Sequence, residues 1–176
     1  VDLEELLAGG NGMKSLSEDM PRYMPEKMEC GSMDTPAIAG LQASLQWLKT
    51  AKPKKIEDDL MEYLIPQLRE IPGLHLYCAP DPTLQAGVIS LNLDGFRANE
   101  VGAILDKEWD TAVRAGHPCA ARIHKHLKDQ EFDGTVRVSL SAFTTKEELD
   151  TLVKALKSID RNMLKGISSS VLRGNC

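Results

Sequence analysis

Between residues 74 and 163, short β-type runs alternate with amphipathic helical patterns. That alternation limits the chain to a small sheet covered by helices. Residues 74–78 and 88–93 read as strands, and in the second Val88-Ile89 adjoining Leu91 and Leu93 implies burial on at least one face. Residues 98–107 read as a helix with Val101, Ile104 and Leu105 inward. A short strand at 111–114 should lead into a Gly116-His117-Pro118 turn, followed by helix over 118–127. In 136–141, Val136, Val138 and Leu140 point one way, which leaves Arg137, Ser139 and Ser141 on the opposite face. Thr145-Lys146-Glu147-Glu148 is a capping box, and Leu149, Leu152, Val153, Leu156, Ile159 and Met163 give the last helix its buried stripe.

Upstream, Thr35 suits an N-cap with Pro36 at the first helical position. Ile38, Leu41, Leu45 and Leu48 form one stripe, and Lys52-Pro53 ends the helix. A second helix over 54–69 carries Ile56, Leu60, Leu64 and Leu68 on one face, with Pro66 predicting a kink or break. Residues 1–34 hold the breakers Gly9-Gly10-Asn11-Gly12, Pro21, Pro25 and Gly31, and methionines without helical period. They read as an arm that packs on a larger body. The expected organisation is arm 1–34, domain 35–165 and flexible tail 166–176.

At 176 residues the chain can bury a core without disulfides, and 42% hydrophobic with 27% charged residues is a globular composition. A net charge of −5 gives no electrostatic reason to expect nucleic acid or an anionic membrane as partner. No apolar run approaches a membrane span. Val1-Asp2-Leu3-Glu4-Glu5 lacks the basic stretch of a signal peptide and an initiator Met, so the chain is expected to begin inside a longer protein or after processing. Cys30, Cys78, Cys119 and Cys176 form no CxxC, which suits free thiols in a reducing cytoplasm.

Three side chains carry candidate chemistry. Cys119 follows the Gly-His-Pro turn at the expected start of a helix, where backbone amides and nearby cations would favour a nucleophilic thiolate; the competing reading is a small buried hydrophobe. Arg114 and Arg137 can each clamp a carboxylate through paired hydrogen bonds, or form ordinary surface ion pairs. Cys119, His124 and His126 lack the spacing of a zinc set, and no carboxylate completes one. Gly31-Ser32 ahead of a helix could cradle a phosphate, or be a simple loop.

These motifs together resemble a known family. Arg114-x-Gly-His-x-Cys119-Ala, Gly134-Thr-Val-Arg137-x-Ser and Phe143-Thr-Thr-Lys-Glu-Glu-Leu-Asp150 are similar to the C-terminal part of class V aminotransferases. Within these, the nearest likeness is to the cysteine desulfurases of the selenocysteine-lyase-like group. Glu29-Cys-Gly31-Ser32-Met-Asp-Thr35-Pro-Ala-Ile-Ala-Gly40-Leu is similar to the family's E-x-G-T-x-N-T-x-x-I-x-G-L segment. The resemblance implies an α/β (α+β) small domain of a fold-type-I pyridoxal-phosphate enzyme, with a short mixed or antiparallel sheet covered by helices.

It further implies that Cys119 takes sulfur from L-cysteine as a persulfide, and that Arg137 holds the substrate carboxylate with Arg114 beside it. His117 would be auxiliary, and Ser32 would reach the cofactor phosphate of the other subunit in a homodimer. The implied products are alanine and a persulfide for a sulfur-acceptor protein, in the cytoplasm. Two departures stand out. His117-Pro118-Cys119 replaces a frequent His-His-Cys, and no lysine sits in the Thr/Ser-x-His-Lys setting that anchors pyridoxal phosphate. The chain is therefore expected to be the C-terminal portion of such an enzyme and inactive alone. The alternatives are another class V reaction (transaminase, lyase or epimerase) or a cofactor-free sulfur-carrying module.

Overall fold

The computed structural model describes residues 3–13, 16–117, 122–127 and 129–167. The chain divides into two compact units, 1–51 and 52–176. The helix expected to lead the domain at 35–165 falls in the first of them.

In the first unit an irregular arm with a 3-10 turn at Glu26–Met28 precedes helix α1, Thr35–Ala51. The cap is Asp34, not Thr35. Its carboxylate accepts the Ala37 N–H at 3.1 Å and its carbonyl accepts that of Ile38 at 3.1 Å. An aspartate outcompetes the threonine here because its charge also answers the positive end of the helix. None of the residues of α1 is buried, and Leu41 on its apolar stripe is 59% exposed.

The second unit holds the core. Helix α2 runs Pro53–Arg69, with Leu60, Leu64 and Leu68 buried as the stripe requires and Ile56 left partly exposed. Pro66 does not break it. The carbonyl that a residue-66 amide would have bonded belongs to Glu62, which is exposed to solvent, so water can take that acceptor. Strands β1, Leu74–Tyr77, and β2, Val88–Leu93, are followed by α3, Ala98–Trp109, α4, His124–Leu127, β3, Val136–Ser139, and α5, Lys146–Ser158.

The sheet order is β1-β2-β3, antiparallel throughout. Of the mixed or antiparallel alternatives the second holds. Ile89, Leu91, Val136 and Val138 turn one face toward Leu64, Leu68, Val101, Leu105, Leu149, Leu152 and Leu156, which form one buried cluster. Alternation therefore leaves the opposite sheet face to Tyr77, Ser90, Asn92 and Arg137.

Three expectations change. The strand at 111–114 is reduced to a single bridge from Arg114 to Arg137. The helix expected over 118–127 appears only as α4; its expected start lies outside the described residues. Helix α5 begins on the capping box, the Thr145 hydroxyl accepting from the Glu148 N–H at 3.2 Å, but it stops at Ser158. Met163 belongs instead to a 3-10 turn, Arg161–Leu164, whose own cap Asp160 accepts the Asn162 N–H at 2.7 Å. That local capping bond competes with continuation of the helix.

Candidate active site

The site is built on the polar face of the sheet. Register sets Tyr77 opposite Ser90 and Ser90 opposite Arg137. The bridge then sets Arg137 opposite Arg114, with the Arg114 N–H donating to the Arg137 carbonyl at 3.1 Å and the Arg137 N–H returning to the Arg114 carbonyl at 2.6 Å. Directly opposed residues project to the same face, so the two arginine side chains leave the sheet on one side. A carboxylate reached by both would be held by two cations. Arg114 is exposed, while Arg137 is half-buried and its Nε is buried with no hydrogen-bond partner among the described residues.

The backbone carrying Arg114 to His117 is fixed from beneath. The Thr135 N–H donates to the Gly116 carbonyl at 2.9 Å, and the buried Asn92 amide donates to the Gly134 carbonyl at 3.0 Å. Gly116 and Gly134 both have positive φ, 91° and 105°. A Cβ on Gly134 would lie 2.1 Å from the Gly116 carbonyl oxygen, so only glycine permits this approach. His117 is exposed, and its ring meets that of buried His124 edge to face at 4.8 Å. Cys119 lies outside the described residues.

Ser32 belongs to the first unit, exposed and next to Gly31, whose φ is 82° and whose N–H donates to the Gly10 carbonyl at 2.8 Å. Among the described residues no group of His, Cys, Asp and Glu is placed to hold a metal. Of the residues singled out in the sequence, the structure brings Arg114 and Arg137 onto one sheet face. Sequence reasoning missed Tyr77, Ser90 and Asn92, although a lone asparagine in the apolar run Val88–Leu93 is a signal of a buried polar contact.

Cys78 is a second thiol on this unit, half-buried between α2 and the loop after β1. Burial pushes its thiol up from the ordinary value, partly offset by the nearby Arg69. A raised value means the protonated thiol is favoured in the fold, a contribution present below the unfolded value and lost as pH rises through the folded one. Iodoacetamide at mildly alkaline pH should therefore label Cys78 several-fold more slowly than a cysteine in an unstructured peptide. A rate equal to the peptide's would show the thiol to be unshielded.

With this geometry in place, comparison with known proteins gives the class. The chain belongs to the class V aminotransferase family, whose model matches residues 1–152. Within it the likeness runs to cysteine desulfurases. A probable cysteine desulfurase of Methanothermobacter thermautotrophicus is 32% identical over 163 residues, which cover 90% of this chain and 40% of that protein. The apo structure of the cysteine desulfurase from Thermococcus onnurineus NA1 superposes with a TM-score of 0.71 at 27% identity, covering 86% of this chain and 38% of that one. The fold is also shared, at a TM-score of 0.57 and 20% identity over 77% of this chain and 32% of the other, with a lysine-to-alanine mutant of C-DES that has glycine covalently linked to its pyridoxal phosphate. This chain thus spans less than half the length of these relatives.

Taken alone, the described residues do not make a site for pyridoxal phosphate. Ser32 offers one hydroxyl, and because the Asp34 carboxylate occupies the amide end of α1, a phosphate there would be met by that hydroxyl rather than by the helix amides. Among the described residues no helix is long and apolar enough to cross a membrane.

Proposed function

We propose that this chain is the C-terminal portion of a pyridoxal-phosphate cysteine desulfurase, contributing carboxylate recognition and the sulfur-accepting thiol. The cofactor would be held by a lysine-bearing part of a longer protein, to whose phosphate Ser32 adds a contact. The observation that carries the reading is the opposed pair Arg114 and Arg137 on one sheet face. Two guanidinium side chains carried on one face can share an anion, and a small amino acid brings a carboxylate of the right size.

In this reading Arg137, held on a strand, fixes the carboxylate and so the direction in which the substrate's sulfur points. Arg114 adds charge from the exposed side. Cys119 receives the sulfur atom: its thiol and cysteine give a persulfide and alanine, so every atom is conserved and no outside reductant is needed. Partner proteins that draw sulfur from the persulfide, a homodimeric assembly and a cytoplasmic setting belong to the same proposal.

The test is Cys119→Ala in the enzyme expressed from the complete coding sequence. Alanine release from L-cysteine should fall by roughly three orders of magnitude or more, the scale seen when a nucleophile is removed, while amino-acid binding persists. Unchanged turnover would remove the thiol mechanism and favour another class V reaction, which shares the task of Arg137 but needs no thiol. The isolated 176-residue chain should show neither turnover nor the absorbance of bound cofactor on adding pyridoxal phosphate. A stable band there would contradict the division of labour.

A further inference from the structure

The second unit buries three side-chain atoms that have no hydrogen-bond partner among the described residues: Asn92 Oδ1, His124 Nε2 and Arg137 Nε. His124 holds Asp129 through its other nitrogen, with Nδ1 and the Asp129 Oδ2 2.5 Å apart. Arg137 belongs to the carboxylate site. Asn92, 1% exposed, has no task in that site. A buried acceptor without a donor lowers stability, so the rest of the side chain has to offset that cost.

What the rest does is donate twice. Nδ2 donates to the Gly134 carbonyl at 3.0 Å and to the Tyr77 hydroxyl oxygen at 3.3 Å. A carbonyl can only accept, which fixes the nitrogen on that side and leaves the oxygen turned away. An aspartate carboxylate brings no donor, and a hydroxyl brings only one.

The place of the bond to Gly134 gives it a use. Main-chain pairing of β2 with β3 ends at Leu91 opposite Val136. Gly134 and Thr135 lie just before that pair in the chain, and there the Asn92 side chain continues the attachment. The Thr135 N–H in turn donates to the Gly116 carbonyl at 2.9 Å, and Arg114 stands two residues before Gly116. On its other side the strip 114–116 rests on α3, where a Cβ on Gly102 would lie 2.7 Å from the Ala115 Cβ.

We propose that Asn92 is a positioning residue for Arg114: it pins the turn 134–135 from which the strip 114–116 hangs. Arg137 is set by its own strand and the ladder beside it. Asn92 then decides how Arg114 stands relative to Arg137. For its functional part the inference rests on the reading that these two arginines bind a carboxylate.

The first test uses the 176-residue chain and needs no cofactor. Hydrogen exchange followed by NMR should show the Asn92 side-chain amide protected about a hundredfold or more over a free asparagine. Exchange at the free rate would overturn the proposal. Asn92→Leu is close in size but has no donor. In it, the Arg114 and Thr135 amides should speed up about tenfold or more relative to Leu105 in α3 and Leu152 in α5, which report opening of the core. An equal change at all four would mean that the residue holds the fold as a whole, and would sink the idea. Should Asn92→Leu fail to fold, Asn92→Ser, whose hydroxyl sits a bond nearer its own backbone, takes its place with the same two outcomes.

The second test is kinetic, in the enzyme expressed from the complete coding sequence. Asn92→Leu should raise KM for cysteine about fivefold, with kcat within about twofold. Combined with Arg114→Gln it should lose no more than Arg114→Gln alone, because the two act through one guanidinium. Losses that multiply, or a fall in kcat with KM unchanged, would overturn the assignment. Retained desulfuration by Cys119→Ala would sink the functional reading instead, and would leave the exchange result standing.

Discussion

Gly134→Ala is expected to unfold the second unit at a temperature roughly 10 °C lower than the parent, a loss of about 3 kcal/mol or more. Two costs coincide at this position. A φ of 105° is one that residues with a side chain rarely adopt, and the added methyl would meet the Gly116 oxygen at 2.1 Å and its carbonyl carbon at 2.4 Å. Neither neighbour is the loose end of a side chain, so the backbone itself must retreat. Retreat would strain the Thr135 N–H bond to Gly116 and move the segment that carries Arg114 and His117. Gly95→Ala is the matched control. Gly95 also has a positive φ, 78°, but open space around it, so only the conformational cost of about 1 kcal/mol should appear. Thermal unfolding followed by circular dichroism checks both, and equal shifts would mean the contact between the two glycines is not tight.

The second large effect is expected at Arg137. In the complete enzyme, Arg137→Gln should lower kcat/KM for cysteine by about 2–5 kcal/mol, the range for removing one partner of a buried, hydrogen-bonded charge pair. That is a factor of roughly thirty to several thousand. Lysine should rescue little, since it lacks the planar fork that grips both carboxylate oxygens. Arg114→Gln should cost less, on the order of 1 kcal/mol, because Arg114 is exposed and screened. A similar loss of activity for both variants would argue against the assigned difference in roles.

How much of this could be read from residues alone depended on the range of the interaction. The face of β3 that bears Arg137 follows from strict alternation, and the start of α5 follows from a four-residue capping box, so both were legible. The opposition of Arg114 and Arg137 was not, because it depends on register across some twenty intervening residues. Pro66 misled by its chemistry: it removes a donor, but the orphaned acceptor belongs to the exposed residue Glu62, where water can replace it, so the helix survives. The stripe on α1 is present as a pattern, yet pattern alone does not supply a surface to bury it. His124 was weighed only as a metal ligand. Its pairing with Asp129 requires the chain to turn back within five residues, which helical spacing does not announce. Asn92 hid inside an apolar run for the opposite reason: a buried amide looks out of place until the carbonyl it serves, that of Gly134, is known.

The narrow attachment of residues 114–116 to β3 has a consequence of its own. This outermost strip of the sheet is held by few main-chain bonds, those exchanged by Arg114 and Arg137 and that from Thr135 to Gly116. A carboxylate gripped by both side chains would add a clasp to those bonds, so occupancy and closure of the sheet's margin become a single event. Ligand would then be part of the mortar along that margin, and the strip leading to His117 would be firmest at the moment when its placement matters.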